Sequence, residues 1–140
     1  MAELQNFIDQ YPESTRLDSC NKINDILRAK LEHKDYDIIK QYFNLGDYQA
    51  DNYKAAITAS TNFMKDFPES GFIDEMLYIT IDSYYRLAII SLETRKLERL
   101  NLAMESYLKL LDLYPKSSYL GKAENIYESC QRMKSNLNQK

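Results

Sequence analysis

The chain has 140 residues, 44% of them hydrophobic and 28% charged, which bounds it to one globular domain large enough to bury a core. Its net charge of −3, sequence pI of about 5.2 and lack of a basic stripe argue against nucleic acid and give anionic lipid nothing to attract. Three glycines and three prolines leave little room for sheets joined by tight turns, so a nearly all-helical chain is expected.

Apolar periodicity places seven helices. The first covers about residues 3–10, where Leu4, Phe7 and Ile8 already follow the pattern. Because the pattern is already under way at Leu4, the chain is expected to be a fragment that starts inside a repeat; no signal peptide, lipobox or membrane span is read in these residues. A second helix, about 15–32, carries Leu17, Cys20, Ile23, Leu27 and Leu31 on one face. A third, about 34–44, uses Tyr36, Ile39 and Phe43 and stops at Gly46, read as a C-terminal cap. After the turn-like stretch 46–52, Asp51 or Asn52 can cap a fourth helix, about 52–66, whose apolar set Tyr53, Ala56, Ile57, Ser60 and Phe63 is one-sided. The fifth, about 71–93, is apolar almost all round from Met76 to Ile90 and should be the most buried. It holds Asp82 and Arg86 one turn apart, against a membrane span. Leu77–Ile81 also reads as a strand, but no partner strand or hairpin signal exists elsewhere. A charged hinge, 93–96, leads to a sixth helix, about 97–113, and a seventh, about 118–136, ends the stack.

All three prolines share one phrase: Phe7 to Tyr11-Pro12-Glu-Ser14, Phe63 to Phe67-Pro68-Glu-Ser70, and Leu110 to Tyr114-Pro115-Lys-Ser117. Proline stops the helix, the preceding aromatic covers its end, and the serine accepts bonds from free amides of the next helix. A stop-and-restart phrase used three times implies a helix pair copied and stacked, an architecture that presents surfaces to proteins. The intervals are uneven, 56 residues from Pro12 to Pro68 and 47 to Pro115, against about 34 for a regular tetratricopeptide repeat.

On these residues the chain resembles tetratricopeptide-repeat proteins, and most closely the C-terminal part of the BamD outer-membrane assembly lipoproteins. The likeness is carried by the aromatic-Pro-x-Ser phrases, the run Leu27 to His33, and Tyr42-Phe-Asn-Leu-Gly46-Asp-Tyr48 with the following helix; its wording is similar to the Bacteroidetes branch. The resemblance implies an all-α, tetratricopeptide-like solenoid of antiparallel helix pairs, one domain over 1–140, acting as a non-enzymatic scaffold. It also implies a place at the periplasmic face of the outer membrane, a lipid anchor preceding these residues, and as partners the POTRA domains of BamA and unfolded outer-membrane proteins. A periplasmic repeat protein of the cell-envelope coordinator type shares the phrase but should be more evenly spaced. A helical enzyme domain is the third reading.

Candidate chemistry is sparse. His33 is the sole histidine, so no multi-histidine zinc site can form, and it lies about 20 Å along one helix from Cys20. Cys20 and Cys130 fall on apolar faces and read as buried free thiols. No phosphate loop or nucleophile elbow is present, so no catalytic, cofactor or metal residue is assigned. Of twelve tyrosines, Tyr11, Tyr84, Tyr107, Tyr114, Tyr119 and Tyr127 take core-facing positions. Tyr48 and Tyr53 beside Gly46 are less obliged to be buried. With Asp47, Asp51 and Asn52 they form the candidate partner-binding set. A turn packed on its own repeat explains the same residues.

Overall fold

The computed structural model describes residues 17–138, and among them every regular element is an α-helix. We number these α1 (Leu17–Leu45), α2 (Asp51–Asp66), α3 (Ile73–Ile89), α4 (Glu93–Leu113) and α5 (Leu120–Asn138). The expected helix at 3–10 and the phrase around Pro12 lie outside the described residues. By internal contacts the chain divides into units Met1–Asp35 and Tyr36–Lys140. In the first, Ile23, Ile26 and Leu31 are all more than 40% exposed and Cys20 is half-buried, so the Cys20 thiol is not the buried one expected. The second holds the core.

The two helices expected at 15–32 and 34–44 are one. No glycine or proline occurs between Leu17 and Leu45, so nothing breaks the backbone ladder and the apolar row simply shifts around the helix.

The proline phrase is realised twice in nearly identical geometry. Phe67 and Tyr114 leave their helices at φ −129°, ψ 62° and φ −133°, ψ 64°, each amide donating to the carbonyl four residues back at 2.8 Å. Ser70 Oγ then accepts from the Phe72 amide at 3.0 Å, and Ser117 Oγ from the Tyr119 amide at 3.1 Å. The serine therefore organises the turn ahead of the helix rather than capping its first turn. For that reason α3 and α5 start at Ile73 and Leu120, two residues later than expected.

α3 is the most buried helix, with Met76, Leu77, Ile79, Ile81, Leu87 and Ala88 at most 3% exposed. Leu77–Ile81 is helical. The leucine, isoleucine and methionine side chains contribute about 1.5–3 kcal/mol each when fully buried, which makes α3 the spine of the stack. It packs against α2, α4 and α5. Its end departs from expectation, because Ile89 (47%) and Ile90 (62%) face solvent. α4 begins at Glu93, so 93–96 is helix and the hinge is Ile90–Leu92, with Arg95 and Lys96 amides bonded to the Leu92 carbonyl. Cys130 is fully buried beside Ala88, Leu100 and Ala103, and burial pushes its thiol up to about 11. Tyr107 and Tyr127 stack at 4.7 Å between α4 and α5.

Candidate functional site

The turn between α1 and α2 is where the expected binding residues fall. Gly46 is buried and directly follows α1, which stops at Leu45 as expected, without a positive φ. It also permits close approach: a Cβ built on Gly46 would lie 2.2–2.4 Å from three atoms of the Tyr53 ring. Tyr53 is accordingly only 4% exposed, contrary to expectation, packed with Ile57 and Leu87 and edge-on to Phe43. Its hydroxyl donates a short hydrogen bond to Asp47 Oδ1 and accepts one from Arg86 Nη1 at 3.2 Å.

Arg86 joins this turn to α3. It donates from Nη1 to Asp47 Oδ1 and from Nε to Asp82 Oδ1, each at 2.9 Å, and lies about 6 Å from the Phe43 and Tyr53 ring centres. Asp82 is 7% exposed on its side chain and also accepts from the Tyr78 hydroxyl at 3.2 Å. The Tyr53 hydroxyl, then Arg86, hold the Asp47 carboxyl below its ordinary value. Burial, reinforced by Asp47, raises the Tyr53 phenol.

The polar row continues down α3. Glu75, 8% exposed on its side chain, accepts from Lys40 Nζ at 2.8 Å and from the Tyr36 hydroxyl at 2.9 and 3.0 Å. Burial alone would raise its pKa, yet hydrogen bonds from Lys40, Tyr36 and Tyr119 bring it below the ordinary value. Tyr36 and Tyr119 are both pushed up to about 12, first by burial and then by their bond to Glu75. Asp74 Oδ2 takes a 2.7 Å bond from Ser117, tying the second proline turn to the same helix. Each of these carboxylates is hydrogen-bonded in place, and the bonds of Asp47, Glu75 and Asp74 run between elements.

The rest of the expected set splits. Asp51 is 77% exposed and sits 3.7 Å from Lys54, a weak surface pair. α2 starts at Asp51 with Ala50 as its uncapped N-terminal residue, so neither Asp51 nor Asn52 caps it. Asn52 Nδ2 instead donates to the Leu45 carbonyl at 3.3 Å. Tyr48 projects outward, 87% exposed. Leu45, Ile89, Ile90 and Leu92 are also exposed, placing apolar side chains on both neighbouring turns that Arg86 and Leu87 bring together.

The family model described as outer membrane lipoprotein YfiO matches residues 1–100. The chain belongs to the YfiO family of outer membrane lipoproteins. No individually curated protein matches it. Among the described residues of this YfiO-family chain, no helix is long and apolar enough to cross a membrane, and no group of three His, Cys, Asp or Glu is placed to hold a metal. Its helix pairs fit the tetratricopeptide-like solenoid. Sequence reasoning noted Asp82 and Arg86 but missed that Arg86 reaches Asp47. The available signal was an arginine in a largely apolar run, whose charge calls for acidic partners beyond its own helix.

Proposed function

We propose that this YfiO-family chain is a BamD-type subunit of the machinery that assembles outer-membrane β-barrel proteins. It works as a non-enzymatic scaffold at the periplasmic face of the outer membrane, held there by a lipid anchor. Its partners are the POTRA domains of the barrel-inserting protein BamA and unfolded outer-membrane proteins. The chain corresponds to the C-terminal helix pairs of such a subunit, of the Bacteroidetes type, and residues 1–140 act as one domain.

The observation that carries this reading is the family match over residues 1–100, joined to a helix-pair stack in which Lys40 of α1 grips the buried Glu75 of α3. Within it, the partner contact is the rim of the α1–α2 turn. Tyr48, Asp51 and the outer faces of Asp47 and Asn52 meet the partner, and Tyr53 supports the turn from beneath. A rigid turn offering an exposed tyrosine gives contact area at low entropic cost. The uneven 56- and 47-residue spacing counts against the cell-envelope coordinator reading.

Co-precipitation of the tagged chain with purified POTRA domains tests this. Retention of the POTRA domains, reduced by Tyr48→Ala, is expected. Retention of peptidoglycan-associated proteins in their place would favour the coordinator.

A further inference from the structure

Between α2 and α4, over the surface of α3, lies a groove of about 250 Å³. Ile57, Tyr84 and Leu87 form an apolar floor, and Lys54, Arg95 and Arg99 stand among its lining, with Glu98 the one carboxylate there. This local excess of cations occurs in a chain whose net charge is −3. The cations are also under-used. The Arg95 guanidinium has no partner among the described residues, Arg99 donates only to the Ser91 hydroxyl, and Lys54 meets Asp51 only at 3.7 Å across solvent.

We propose that this groove holds an acidic segment of a protein partner. A carboxylate pairs with Arg95 and Arg99, and a neighbouring apolar side chain rests on Ile57 and Leu87. The guanidinium fork matches a carboxylate in two-bond geometry, and two arginines lacking acidic partners supply that geometry unspent. The groove is smaller than the roughly 300–1,000 Å³ of small-molecule pockets, so it suits one or two side chains of a larger partner rather than a cofactor. Its recess between helices also favours an inserted side chain over a flat lipid surface. The inference rests on the scaffold reading and adds a surface and a partner chemistry to it.

The test is fluorescence anisotropy of the full 140-residue chain with a labelled peptide of alternating glutamate and leucine, compared with its glutamine counterpart. We expect the acidic peptide to bind about tenfold more tightly or better, to weaken as salt rises, and to lose that preference in the Arg95→Glu, Arg99→Glu double variant. Arg132→Glu on α5 should leave binding unchanged. Circular dichroism checks folding, with the milder Arg95→Gln, Arg99→Gln pair replacing the reversal if that variant unfolds. Equal affinity for both peptides would overturn the proposal, as would binding indifferent to the arginines. Capture by phosphatidylglycerol vesicles but not by the acidic peptide, dependent on the same arginines, would assign the groove to lipid and overturn it too. POTRA retention by a chain that ignores the acidic peptide would sink this inference alone; peptide binding without POTRA retention would sink the assembly-subunit reading alone.

Discussion

The turn between α1 and α2 and the turn between α3 and α4 do the same topological job by different means. The first is locked from inside: Tyr53 lies on the bare Cα of Gly46, and Arg86 grips Asp47 from the neighbouring helix. The second is three residues, Ile90–Leu92, with Leu92 81% exposed. Its side-chain hydrogen bonds come from Ser91, whose hydroxyl donates back to the Leu87 carbonyl and accepts from Arg99. The first turn is therefore an element whose shape is over-determined, while the second holds apolar surface in water with little support. Rigid display and greasy display sit on adjacent turns.

The largest blow to this contrast should come from Arg86→Ala. It strips the main charge partner from Asp82, whose side chain is 7% exposed, and frees Asp47 and Tyr53 together. Breaking a fully buried pair costs 3–5 kcal/mol; because Arg86 is 42% exposed, about 2–3 kcal/mol is expected in urea unfolding. Arg86→Lys keeps the charge but not the span to three acceptors, and should recover only part of it.

Gly46→Ala comes next. The added methyl meets the Tyr53 ring, and overpacking of this kind costs about 1–3 kcal/mol, lowering the melting temperature by several degrees. Gly71→Ala and Gly121→Ala are the controls, since nothing lies within 4 Å of a Cβ at either. Equal losses at all three glycines would remove the lock from the account.

These two residues also mark what a sequence can disclose. The aromatic-Pro-x-Ser phrase was legible because its chemistry is local: proline, aromatic and serine act within five residues, and both described copies fold alike. The burial of α3 was legible from its apolar run, until Ile89 and Ile90, where the run outlasts the helices that cover it. Tyr53 was misjudged because its burial depends on a glycine seven residues earlier and on an arginine 33 residues away. The basic groove stayed hidden for a similar reason, since Lys54 and Arg99 come from different helices. Periodicity divides α1 in two because its apolar row changes face, whereas the backbone, with no glycine or proline, runs on unbroken.

A smaller effect separates the row beneath the first turn from the bare second turn by pH. Glu75 has a folded pKa below its ordinary 4.5, so its contribution is complete above about pH 4.5 and is lost as pH falls through the folded value. Glu75→Gln should cost about 1 kcal/mol near neutrality and flatten the acid limb of the stability curve. At the alkaline end the sign reverses. Tyr36 and Tyr119 are raised from 10.0 to about 12, so their contribution holds below pH 10 and fades toward 12. A Glu75→Gln variant with an unchanged acid limb would show that the row does not anchor the helices.

The smallest effect on stability should come from the exposed tips, and here the comparison turns functional. Tyr48→Ala on the first turn and Leu92→Ser on the second remove side chains that are 87% and 81% exposed, so each should move stability by no more than about 0.5 kcal/mol. Their effects on partner retention should differ. Tyr48 extends from a turn already fixed by Tyr53 and Arg86, so its contacts cost little ordering on binding, and its loss should weaken POTRA binding by about tenfold. Leu92 sits in the hinge just ahead of α4 with no side-chain cap, so any contact it makes is offset by ordering the hinge, and its loss should weaken binding only a few-fold. Measured by titration calorimetry, a larger loss at Leu92 than at Tyr48 would mean that the greasy turn, not the locked one, carries the interface.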